Sequence, residues 1–123
     1  MRRALPAMML LAILAMQPPA ARADPIVADG LTRLAGTLGA VHYLRTLCRP
    51  DEGQMWRDKM LDLLAAGDLT RQRRDKLIAA FNAGYSRQQT AHQSCTPAAA
   101  NLGNTYAQQG AADARALARR LGS

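Results

Sequence analysis

The sequence predicts an all-α protein: a small up-down bundle of three to four helices fastened by one disulfide. Three observations carry this. Beyond residue 24 the apolar residues recur at helical spacing, and no stretch has the alternation or the Val, Ile and Thr enrichment that strands require. The two cysteines, Cys48 and Cys95, close the first and third helical stretches.

The first helix is predicted from about Asp29 to Cys48, with Leu31, Leu34, Ala35, Leu38, Val41, His42 and Arg45 on one face. Its other side, Gly36, Gly39, Ala40, Tyr43 and Leu47, is small in the middle, so a second helix can approach it closely. A helix of this kind is packed on two sides. The second helix is expected to start near Pro50, where Asp51 and Glu52 complement a helix N-terminus, to turn Trp56, Met60, Leu63 and Leu64 inward, and to end at Gly67. The third follows Asp68 and is expected to reach Cys95, carrying Leu77, Ile78, Phe81, Tyr85, Gln88 and His92 near one face; Gly84 is its expected weak point. The fourth, about 97–121, opens with Thr96 as cap and Pro97 at its first position. Its inward set is Ala98, Leu102, Tyr106, Ala116 and Leu117, interrupted by Gly103, Gln109 and Gly110.

Short connections make successive helices antiparallel, which puts the ends of the first and third at one pole. Cys48-Arg49-Pro50 and Cys95-Thr96-Pro97 are therefore equivalent corners, as a disulfide between Cys48 and Cys95 requires. The bond closes a long loop, and the chain-entropy model assigns it about 4 kcal/mol, a large share of the stability of so small a domain.

The first residues read as a secretory signal. Arg2 and Arg3 supply the charge, Met8 to Met16 the apolar stretch, and Ala21-Arg22-Ala23 the small residues of a cleavage site. Pro6 on one side and Gln17-Pro18-Pro19 on the other leave the apolar run shorter than a membrane span, and the Arg pair stands without the rest of a twin-arginine motif. The expected division is thus a signal peptide over 1–23 and a single helical domain over 24–123, delivered to the periplasm with no membrane span after cleavage. An oxidising destination suits a disulfide. The formal charge of +7 falls by three when Arg2, Arg3 and Arg22 leave, and nucleic acid is not an expected partner outside the cytoplasm.

No catalytic residues emerge. There is no Gly-x-Ser-x-Gly and no phosphate-cradling glycine loop, and Asp51 beside Glu52 is a helix-start pair rather than two carboxylates facing across a cleft. His42, Cys48, His92 and Cys95 are weighed as a metal site, but His42 and Cys48 are six residues apart and point in different directions. No metal is assigned; His42 and His92 are kept as its weak candidates. Haem lacks a Cys-x-x-Cys-His, so no cofactor is expected. The basic run is more informative, because Arg73, Lys76 and Arg87 lie along one flank of the third helix, whereas Arg71 and Arg74 point elsewhere. Cations early in a helix oppose its dipole, so helix stability does not account for them.

His42-Tyr43-Leu44-Arg45, Cys48-Arg49-Pro50, Trp56-Arg57, Phe81-Asn82-Ala83-Gly84-Tyr85 and Cys95-Thr96-Pro97 together resemble an uncharacterised family of exported alphaproteobacterial proteins with two well-separated cysteines. The resemblance runs from Leu34 to Ala98, short of the fourth helix. It implies export and a disulfide, and it brings no catalytic residues. The resulting expectation is a non-enzymatic periplasmic interaction or structural module that contacts an envelope protein or an anionic surface through Arg73, Lys76 and Arg87. The alternative is a small-ligand or metal-binding helical bundle.

Overall fold

The computed structural model describes residues 25–66 and 69–122. The expected leader, the cleavage after Ala23 and the stop at Gly67 lie outside the described residues. Four α-helices form: α1 (Pro25–Cys48), α2 (Gly53–Ala66), α3 (Arg71–Ala91) and α4 (Pro97–Leu121), with a 3-10 turn over Pro50–Glu52 and no strand among the described residues. The all-α bundle is therefore observed. None of the described helices is long and apolar enough to cross a membrane.

Helix starts follow the capping chemistry. The Thr70 and Thr96 hydroxyls accept the backbone N–H groups of Arg73 and Ala99, opening α3 and α4. α1 begins four residues before the expected Asp29, at Pro25, whose missing N–H costs nothing in a first helical turn. Pro50 opens a 3-10 turn instead of α2 itself. Its Glu52 turns toward α1, 3.7 Å from Arg45 and 4.0 Å from Arg49.

α1 is the axis of the molecule. It packs against each of the other helices, whereas α4 makes no close backbone approach to α2 or α3. Leu44 and Val41 are fully buried on it, and Leu34, Ala35 and Leu38 join Met60, Leu64, Leu77 and Leu117 in the main core. Removing a side chain of that size from water contributes about 2 kcal/mol. Gly36 opposite Ala80, Tyr43 on Tyr85 and Cys48 bonded to Cys95 run in the same order along both helices, so α1 and α3 are parallel, as an up-down-up-down path demands.

Three expectations are corrected. α3 stops at Ala91: His92 is already extended, and Cys95 sits in the connection to α4. Thr96 is extended before Pro97, which bars a helix from that point, and the Tyr43 hydroxyl holds the earlier exit by donating to the His92 carbonyl. Gly84 is no weak point, because it lies buried where α3 crosses α1. A Cβ there would collide with the Gly36 carbonyl, and one on Gly39 with the Phe81 carbonyl. The two backbones touch, and only glycine permits it. Finally, α4 buries Ala99, Gly103, Gly110 and Leu117, leaving Leu102 and Tyr106 half-buried and Ala98 and Ala116 exposed. Its inward face is the small-residue line, because that line lets α4 settle onto α1.

The disulfide is formed as expected. Cys48 and Cys95 have Cα atoms 5.1 Å apart, at the pole where α1 ends and the chain turns from α3 into α4.

Candidate functional site

Because α4 docks on α1 without reaching α3, a groove of about 590 Å³ opens along α1 between them. Its floor is Gly36 and Ala40 of α1 with Ala80, Ala83 and Gly84 of α3, and Tyr106 of α4 closes one side. Arg33 stands toward the start of α1 with Asp29, while Arg87 and Gln88 follow Gly84 along α3, toward the other end of the groove.

The three cations singled out in the sequence lie on this side. Positions 73, 76, 80, 83 and 87 make one stripe of α3 at helical spacing. Arg87 lines the groove itself. Arg73 and Lys76 line an adjoining recess of about 190 Å³, which shares Asp29 and Thr32 with it. The side chains of Arg33, Arg73, Lys76 and Arg87 make no ion pair among the described residues, although Asp29 lies nearby. Two ion pairs tie Arg45 and Arg49 to Glu52, toward the far end of α1.

The groove also holds polar groups without partners. Thr32, Thr46, Thr90 and Thr105 each donate to the carbonyl four residues earlier, and Thr70 and Thr96 serve as caps. Thr37 alone among the threonines has no side-chain hydrogen bond to the described residues, although it is the most enclosed at 9 % exposure. The buried side-chain carbonyl of Gln88 is likewise unpartnered, and so is the half-buried Tyr106 hydroxyl. Of the three only the Gln88 carbonyl is shut off from solvent; the Thr37 and Tyr106 hydroxyls reach it and are open to hydrogen bonds from outside the chain.

The sequence missed Arg33, Thr37 and Tyr106. Arg33 and Thr37 fall with Asp29, Gly36 and Ala40 on one α1 stripe, a spacing visible in principle, but the largely apolar opposite face draws attention first. Tyr106 reaches the groove only because α4 is rotated onto its glycines.

The histidines are occupied elsewhere. His42 donates from Nδ1 to the Gly53 carbonyl at 2.8 Å, tying α1 to the start of α2, and packs against Phe81 and Tyr85 with ring centroids 5.7 and 5.6 Å away. His92 ends α3 and supplies its carbonyl to Tyr43. Cys48 and Cys95 are bonded to each other and offer no thiolate, and no group of three or more His, Cys, Asp or Glu side chains converges among the described residues. The four residues weighed as a metal site are thus not gathered into one.

A second cavity, about 410 Å³, lies between α2 and α4 over Leu34 and Leu38. Its lining is almost wholly apolar, with Trp56, Leu63 and the alanines of α4 as walls and Lys59 and Asp62 at the rim. The Trp56 indole N–H is buried without a partner.

No curated protein and no solved structure matches the chain. A family model described as protein of unknown function (DUF2385) matches residues 27–121, which takes in nearly all of α1 and the whole of α2, α3 and α4. The match therefore includes the groove with every side chain that lines it, and the chain belongs to that family.

Proposed function

We propose that the protein is a non-enzymatic interaction module, exported to the periplasm by cleavage after Ala23, that contacts an acidic protein or anionic surface of the envelope along the α1–α3 side. The observation that carries this reading is the placement of Arg33, Arg73, Lys76 and Arg87 on one continuous side with no carboxylate partner among the described residues. Cations grouped without internal partners raise the potential of a concave surface and draw anions toward it. The disulfide is compatible with an oxidising compartment, and the leader-like first residues supply the route there.

The test is retention of the disulfide-bonded protein on immobilised polyglutamate across a salt gradient. Exposed charges are screened beyond about 10 Å at 0.1 M salt, so retention should fall steadily as salt rises. Replacing Arg73, Lys76 and Arg87 together with Gln should move elution to lower salt. Retention indifferent to both salt and the triple replacement contradicts the reading. N-terminal sequencing of the exported form should give Asp24.

A further inference from the structure

We propose that the α1–α3–α4 groove is a peptide site: it takes a short, extended acidic segment with carboxylates near both ends. The inference rests on the reading above and narrows it to one chemical class.

The shape of the groove comes first. Asp29 to Ala40, the length of α1 that lines it, rises roughly 16 Å at 1.5 Å per residue. Its walls are α3 and the Tyr106 side of α4, with the backbones of Gly36 and Gly84 in the floor. A flat lipid headgroup layer cannot enter such a trough, whereas a single extended strand can. At about 3.3 Å per residue the trough holds about five residues of extended chain.

Charge placement comes second. Arg33 and Arg87 mark opposite ends, each without an ion-pair partner among the described residues. Two acids carried several residues apart on one chain meet the two guanidinium groups separately. Asp29 near Arg33 keeps that end from accepting a dense polyanion.

The third part is the set of polar groups along the trough. Thr37 and Tyr106 present hydroxyls, and Gln88 presents an unpartnered amide carbonyl. A peptide backbone offers the matching alternation of N–H donors and C=O acceptors. The Gln88 carbonyl accepts a peptide N–H, and the Thr37 and Tyr106 hydroxyls donate to peptide carbonyls. A bare polyanion leaves the Gln88 carbonyl unmet, because it has no donor to give.

The probe is a fluorescein-labelled peptide with glutamate at both ends and three alanines between, followed by polarisation at low salt. Its glutamine counterpart, tripolyphosphate and phosphatidylglycerol vesicles serve as competitors. The acidic peptide should bind and the glutamine peptide should not. Arg33→Gln and Arg87→Gln should each weaken binding roughly tenfold, the usual loss for one charge-assisted hydrogen bond. Thr37→Val, close in shape, should weaken it roughly threefold, an effect that a purely electrostatic stripe does not produce. If the peptide fails to bind while retention on polyglutamate stays salt-sensitive, the peptide site is overturned and the broader reading stands. If both fail, both fall. Peptide binding indifferent to Arg33→Gln, Arg87→Gln and Thr37→Val, or displaced as readily by tripolyphosphate, also overturns it.

Discussion

The two long seams of α1 are built from the same residue type to different ends. Toward α3, Gly39 and Gly84 bring backbone against backbone, so that the Phe81 and Gly36 carbonyls occupy the space where their Cβ atoms would sit. Toward α4, Gly103 and Gly110 face side chains: a Cβ on Gly103 would stand 3.3 Å from Leu44 Cβ, and one on Gly110 would stand 3.4 Å from Thr37 Cγ2. The first seam has no give, because a carbonyl belongs to a helix that cannot yield locally. The second can adjust by a few tenths of an ångström. The lesson is that a helical glycine should be judged by what its missing Cβ would strike rather than by propensity alone.

The largest expected effect concerns the pole where both seams end. Replacing Cys48 and Cys95 together with Ser should lower the unfolding free energy by about 4 kcal/mol, read from denaturant midpoints. A loss under about 1 kcal/mol would mean that the α1–α3 contact holds that pole without the bond. Next comes Gly84→Ala, which gains about 1 kcal/mol of helix propensity but drives a Cβ into the Gly36 carbonyl; a net loss of about 2–3 kcal/mol is expected. Tyr43→Phe should cost about 1 kcal/mol by releasing the His92 carbonyl at the end of α3, with faster amide exchange confined to the 92–96 connection. Smallest is Gly110→Ala, for which propensity and a slightly tight contact oppose each other; stability should be unchanged or up by as much as about 1 kcal/mol. The sign difference between Gly84→Ala and Gly110→Ala is the sharpest form of the comparison. If both lose 2 kcal/mol or more, the seams are alike.

Much of the frame was legible in the sequence because it rests on local chemistry. Thr96-Pro97 marks a helix start wherever it stands, and the Cys-x-Pro corners place the disulfide once the helices alternate in direction. The small middle of α1 likewise announced a close neighbour. What escaped was rotation. The spacing of Leu102 and Tyr106 points them inward, but α4 turns Ala99, Gly103 and Gly110 to α1 instead, because short distance to a crowded helix outweighs the area of two larger side chains. The site suffered most from this. Arg73, Lys76 and Arg87 share a stripe that a helical wheel finds, whereas Arg33, Thr37 and Tyr106 join them only through the packing of three helices. Gln88 was visible on the α3 face, yet nothing in the sequence marks its carbonyl as unpartnered.

The central claim is that the cations of the groove serve a partner and not the fold. The most direct measurement is the unfolding free energy of an Arg33→Gln, Arg87→Gln double variant beside the wild type, at low salt where surface charge counts most. With no ion pair to lose and mutual repulsion relieved, the variant should be as stable as the wild type or slightly more so. A loss of more than about 1 kcal/mol would make these arginines structural and contradict the account.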